Sequence, residues 1–294
     1  MTPPSGTLQS GAVHSESSRT VQEVLAPLVP GEALSGSAVV VAAHPDDEML
    51  GASWLLSRLP DCHIVHVTDG APRDPALRSP QAPGSREAYA RLREKESFAA
   101  LAWAGITPQQ LVSLGAVEQE SVLELVTLTH SLVALLKALR PTLLIVHPYE
   151  GGHPDHDSAA FIAHAATALL RRAGRTVPAL VEMATYHRRE DRLVTSDFLP
   201  LVDEAPVATV YLSEQDRDTK RGMLASHATQ ARTLGGWPLV QERYRASPGY
   251  DFTQAPHAGL LHYEWLGGRM TGTFWRERAL RALRELRLLD TSWH

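Results

Sequence analysis

Ala38-Val39-Val40-Val41-Ala42-Ala43 runs without a break into His44-Pro45-Asp46-Asp47-Glu48. The first six residues are all apolar and β-branched at the centre. Such a run reads as a short strand buried on both faces, which places it inside a parallel sheet covered by helices. The following residues mark a strand end and a helix start: Pro45 suits the first helical position, and acids are favoured in a first turn.

The same alternation extends outward. Glu48 to Leu59 reads as a helix, and Cys62 to Thr68 as a second strand ended by Asp69-Gly70. Residues 70–85 hold four prolines and two glycines and read as loop. Helices are expected over Arg86–Ala104, Ser121–Leu139, Asp155–Arg172, Glu214–Leu234 and Phe274–Leu289, and strands over Thr142–Val146, Leu180–Tyr186 and Val207–Leu212. Strands alternating with helices of this length give an α/β fold with a mostly parallel sheet, whose ligands sit beyond the carboxyl ends of the strands.

Residues 1–36 read as a partly disordered N-terminal arm, with a short helix at Val21–Leu28. Residues 37–294 read as one domain in which 235–272 is irregular and aromatic-rich, either a substrate-shaping loop or a set of core-packing side chains.

The composition narrows the function. The 294 residues are 44% hydrophobic and 21% charged, as in ordinary globular proteins, and the net charge of −5 disfavours non-specific nucleic-acid binding. Cys62 is the only cysteine, so disulfides and Cys-rich zinc sites are excluded, and any metal must be held by nitrogen and oxygen. No export signal or membrane span is legible, which makes the cytoplasm the expected compartment.

A second constellation, His153-Pro154-Asp155-His156-Asp157, follows the Thr142–Val146 strand after Gly151-Gly152. Either motif alone is explained by acids capping a helix. Together they place two His-Pro-Asp segments after two buried strands, on one rim. His44, Asp47 and His156 then offer two imidazoles and a carboxylate to a divalent metal, with a position left for water. Asp46 and His153 remain as the free carboxylate and imidazole that a hydrolase needs for proton handling. A helix N-terminus and a nearby cation are both expected to depress the Asp46 pKa.

These two motifs, with Arg93-x-x-Glu96 and the Lys220–Gln230 segment containing His227-Ala228-Thr229-Gln230, resemble the PIG-L/LmbE-like zinc-dependent de-N-acetylases. The resemblance runs from about residue 37 to 234. It implies a Rossmann-like three-layer fold and metal ligation by His44, Asp47 and His156. It also implies Asp46 as general base and His153 as electrophilic group, with Asp155 orienting it. The implied metal is Zn²⁺, with Fe²⁺ or another divalent ion as alternatives. The implied activity is removal of an acetyl group from an N-acetylglucosaminyl-type small molecule or glycoconjugate.

Arg93 resembles a family position that faces the sugar; the alternative is an exposed Arg paired with Glu96 at helical spacing. Tyr149 either reaches the substrate or lines its loop, and His147 and Glu48 are candidates for contact with the ligands. His227 and Cys62 read as packing residues.

Two rivals use the same residues differently. A thiol-conjugate amidase of the same family shares both motifs, and a non-haem Fe(II) oxygenase uses the same His/Asp/His set, usually on an all-β scaffold. A nucleotide-binding oxidoreductase is disfavoured because His44-Pro45-Asp46-Asp47 stands where a Gly-rich phosphate loop would be.

Overall fold

Ala38–Ala42 form strand β1, buried throughout. Val39 and Val41 enter one apolar layer, while Ala38 and Val40 enter the other. The computed structural model describes residues 37–59, 61–82, 84–200 and 206–290. The expected N-terminal arm and its helix lie outside these residues.

Around β1 the chain adds β2 (Cys62–Thr68), β3 (Leu111–Ala116), β4 (Leu143–Val146), β5 (Ala179–Met183), β8 (Val207–Tyr211) and β9 (Gln241–Ala246). The sheet order is β3-β2-β1-β4-β5-β9-β8. The first five strands are mutually parallel, whereas β9 runs antiparallel to both β5 and β8. A separate hairpin pairs β6 (Tyr186–Arg189) with β7 (Arg192–Thr195).

Helices cover both faces. One apolar cluster packs α3 (Leu125–Leu139), α4 (Pro154–Arg172) and α8 (Gly272–Glu285) on the sheet. The opposite cluster packs α1 (Asp47–Leu56), α2 (Arg86–Leu101) and α5 (Glu214–Ser226). Short helices α6 (Ala231–Leu234) and α7 (His262–Trp265) complete the described elements. This is the three-layer α/β architecture expected from the alternation. Its strand order reverses between β1 and β4, which is where doubly wound sheets open a crevice for ligands.

Three features differ from the sequence reading. Strand β3 falls between the expected Arg86–Ala104 and Ser121–Leu139 helices, where the sequence reading assigns no element. The 235–272 region is not irregular throughout, because Gln241–Ala246 is a sheet strand and Tyr244 is fully buried. The Glu214–Leu234 helix is two helices, separated at the His227 C-cap (φ −91°, ψ 67°) and a short 3-10 turn.

Helix α1 is also broken, at Ala52 (φ −138°, ψ 17°). The Ser53 and Trp54 amides donate to the Glu242 carboxylate at 3.1 and 3.0 Å instead of to the preceding turn. The Leu50 carbonyl released by the break accepts from Lys220 Nζ at 2.8 Å and Trp237 Nε1 at 3.2 Å. Lys220 and Glu242 pair at 2.7 Å, both fully buried. A buried ion pair thus serves the backbone groups at the helix break.

Candidate active site

Asp46 occupies the N-cap position of α1, yet its side chain makes no capping hydrogen bond. The helix begins at Asp47, so Pro45 precedes it rather than opening it. Asp47 is held by its own turn: Oδ2 accepts from the His44 amide at 2.8 Å and lies 3.0 Å from His44 Nδ1. Its Oδ1 lies 3.2 Å from His156 Nε2, which comes from the first turn of α4, beyond β4. One ligand-type atom each from His44, Asp47 and His156 lies within 4.8 Å of the other two, and all three residues are buried. The two motifs, 112 positions apart at His44 and His156, therefore meet at the carboxyl ends of β1 and β4.

Charge states follow from burial and the hydrogen bonds. Against burial, the hydrogen bonds from His44 and Ser121 hold the Asp155 carboxyl down at about 2, so it accepts. His44 sits between two carboxylates, with Nε2 3.1 Å from Asp155 and Nδ1 3.0 Å from Asp47, and against burial these hold its pKa well above the usual value; a divalent cation at the cluster would take the place of the proton on Nδ1. His156 Nε2 is buried with no hydrogen-bond partner among the described residues. Burial, opposed by Asp47, lowers His156 to about 4, so it is a neutral donor at ordinary pH. Two imidazole nitrogens and a carboxylate converging on one buried point fit a divalent cation.

The surrounding groups are arranged differently from the sequence expectation. Asp155 was expected to orient His153, but its carboxylate is 3.8 Å from His153 Nδ1. It instead accepts from His44, from the Gln119 amide at 2.6 Å and from Ser121 Oγ at 2.5 Å. Such a carboxylate contact fixes the orientation of the His44 ring. His153 is oriented by the Asp155 backbone, whose N–H donates to Nδ1 at 3.2 Å. Burial and the neighbouring His44 hold its pKa well below the usual value. The neutral ring therefore presents an Nε2–H.

Asp46 Oδ2 accepts from Arg93 Nη2 at 2.8 Å. Burial pushes the Asp46 carboxyl up to about 6 although Arg93 pulls it down. That reverses the depression expected from the helix N-terminus, because the side chain is desolvated and turned away from the helix amides.

Arg93 is neither exposed nor paired with Glu96, whose carboxylate accepts from Thr229. Its guanidinium also donates to the Gly70 and Pro45 carbonyls at 2.9 and 3.3 Å, and to Glu118 at 3.3 Å. These contacts make it a clamp on Asp46 rather than a free sugar ligand. Gly70 (φ +64°) is required beneath the clamp, since a Cβ there would come within 2.8 Å of Arg93 and Pro45.

Tyr149 does not join the cluster. Its ring packs against Phe252 at 5.0 Å and Trp275 at 5.3 Å, and its hydroxyl donates to the Gln254 carbonyl at 2.8 Å. The side chain turns into the core behind β4 instead of over the rim. Tyr149→Phe should change turnover by less than about twofold and cost about 1 kcal/mol of stability, read from steady-state rates and a melting curve.

His147 stacks on His156 at 4.0 Å, and its Nε2 accepts from the Ala43 amide. Glu48 is buried against His66 at 3.1 Å, and His227 packs on Met49 Sδ. Cys62 is buried, which pushes its thiol up to about 12.

Two site residues escaped the sequence reading. Glu118 places an oxygen within 4.8 Å of ligand atoms of both His44 and His153. Recognising β3 would have pointed to it, because Glu118 lies two residues beyond that strand's carboxyl end. Tyr186 opens β6 and meets His156 edge-on at 4.9 Å. Its approach is close enough that a Cβ at Gly152 would lie 2.1 Å from the Tyr186 carbonyl.

The strand order and the buried His/Asp/His cluster at its reversal define a Rossmann-like α/β protein with a metal-type site. Residues 39–167 match the model of the PIG-L family, described as GlcNAc-PI de-N-acetylase. This likeness agrees with the resemblance drawn from the two motifs.

Similar solved structures include the A40926 pseudoaglycone deacetylase, at 17% identity, 71% of this chain, 96% of that chain and a TM-score of 0.52. A deacetylase of the teicoplanin pathway in complex with bog matches at 16% identity, with the same coverages and a TM-score of 0.53. The zinc-inhibited form of teicoplanin deacetylase matches at 14% identity, 71% of this chain, 97% of that chain and a TM-score of 0.50. At these identities the likeness establishes the fold. No curated protein sequence matches the chain. No helix among the described residues is long and apolar enough to cross a membrane.

Proposed function

We propose that this protein is a metal-dependent de-N-acetylase acting on an N-acetylglucosaminyl-type small molecule or glycoconjugate. The convergence of His44, Asp47 and His156 within 4.8 Å carries the reading. It is supported by Asp46 and His153 beside that cluster, by the family match and by the deacetylase neighbours.

His44, Asp47 and His156 would hold the ion, with Zn²⁺ the best fit to two imidazoles and a carboxylate. A bound divalent ion acidifies water towards pKa ~7 and polarises a carbonyl. Asp46 takes the proton of the attacking water on the oxygen that Arg93 leaves free. His153 donates its Nε2–H to the carbonyl oxygen as that oxygen gains charge. The proton on Asp46 then passes to the departing nitrogen as the C–N bond breaks, giving acetate and the free amine. Removing a donor such as His153 typically costs ~10²–10³ in rate.

The test is metal analysis of the purified protein, followed by an oxygen-free acetate-release screen over N-acetylglucosaminyl compounds and N-acylated thiol conjugates. Acetate release without oxygen is expected from a sugar amide. Turnover of thiol conjugates alone would make it the amidase variant. A requirement for oxygen and 2-oxoglutarate would replace the hydrolase with the Fe(II) oxygenase reading.

Arg93 gives a second handle. Its charge lowers the Asp46 pKa, so Arg93→Met should raise that pKa. A base is lost as pH falls through its pKa. The acid limb of the kcat/KM profile should therefore move to higher pH in the variant. An unmoved limb would detach Asp46 from that ionisation.

A further inference from the structure

A cavity of about 470 Å³ opens at the edge of the sheet opposite the candidate active site. It lies at the amino ends of β4 and β5, where Arg140-Pro141 leads into one strand and Arg175 to Pro178 into the other. Its volume falls in the ~300–1,000 Å³ range of small-molecule pockets. Buried Leu136, Leu170 and Pro141 line its apolar part, and Lys137, Arg140 and Arg175 line the rest.

Charge makes the cavity unusual for this chain. The protein carries a net charge of −5, yet residues 125–149 and 158–181 contain no Asp or Glu. The ends of α3 and α4 meet there with Lys137, Arg140, Arg171, Arg172 and Arg175. Among the described residues no carboxylate is paired with Lys137, Arg140 or Arg175. Compensation of two helix C-termini accounts for Lys137, Arg171 and Arg172, which stand in last turns. It does not account for Arg175, three residues past its helix. Nor does it account for Arg140, which takes a left-handed conformation (φ 48°) at a C-cap where glycine is the usual choice.

We propose that this cavity is a second binding site, for a soluble organic phosphate with a small apolar portion. Two arginine forks and a lysine supply the charge-assisted donors that a phosphate dianion takes up, and the leucines and proline cover the carbon part. The site is separate from the metal-type cluster and stands whether or not the proposed deacetylase reading holds.

The test is calorimetric titration of the full chain with inorganic phosphate and with n-butyl phosphate, at constant ionic strength. Saturable binding is expected, tighter for n-butyl phosphate. It should weaken by about tenfold or more in Lys137→Gln/Arg140→Gln/Arg175→Gln, the scale of one lost charge-assisted hydrogen bond. Arg171→Gln, on the same patch but outside the cavity, should bind as the wild type does. Melting curves establish that each variant is folded, and Arg175→Gln alone serves if the triple variant is not. The absence of saturable binding overturns the proposal. So does phosphate binding that survives the triple variant, or an equal loss in Arg171→Gln. A parallel titration with phosphatidic acid vesicles separates a free phosphate from a lipid headgroup, and binding to vesicles alone overturns the soluble ligand.

Discussion

Asp46→Asn is expected to lower kcat by about 10²–10⁴, the range typical of a lost general base, while metal content stays at the wild-type level. The introduced carboxamide has the shape of the carboxyl group it replaces, and its oxygen can still accept from Arg93, so the clamp that holds the side chain would survive. Glu118 and the Gly70 and Pro45 carbonyls continue to satisfy the guanidinium. What disappears is the ability to take a proton from water. His156→Ala is the informative contrast: it removes one corner of the cluster and should lose bound metal together with activity. Steady-state rates and elemental analysis of the two variants separate the roles. Full turnover in Asp46→Asn would remove Asp46 from the chemistry, and stoichiometric metal in His156→Ala would contradict the proposed ligand set.

The parts of this site that the sequence disclosed are those whose signal is local. Ala38–Ala42 is apolar throughout because both its faces are covered, and the residues following such a strand must lie at the sheet rim. His44 to Glu48 and His153 to Asp157 could therefore be placed on one edge before any coordinates.

The parts that stayed hidden depend on pairing across the fold. Gln241–Ala246 carries Glu242, Arg243 and Arg245, which ordinarily mark a surface. Yet Glu242 is buried against Lys220, and Arg245 against Glu182 and Glu150. The β6–β7 hairpin turns through Glu190 and Asp191, both with positive φ, where Asn-Gly would have announced the turn. Strand β3 lies at the edge of the sheet with Ser113 and Gly115 in it, so its pattern was weak and Glu118 beyond it went unnoticed. The role of Asp155 was misassigned for a related reason. His153, two residues before it, is held by its amide, while its carboxylate reaches His44, 111 positions away.

The Lys220–Glu242 pair yields the largest expected effect on stability. Lys220→Met leaves a buried carboxylate without its cation, a change that typically costs about 3–5 kcal/mol. In a domain of this size that lowers the melting temperature by on the order of 10 °C. An isolated buried ion pair can often be replaced by two apolar residues with little loss. That rescue should fail here, because Glu242 also accepts from the Ser53 and Trp54 amides, from Ser53 Oγ at 2.5 Å and from Tyr244 at 2.6 Å. Lys220→Met/Glu242→Leu would strand both amides at the break in α1, each costing about 1–3 kcal/mol. Thermal melts of the single and double variants decide the matter. A double variant as stable as the wild type would mean that the helix break does not depend on this carboxylate. A double variant no more stable than Lys220→Met would establish that Glu242 serves the backbone of α1 first and Lys220 second.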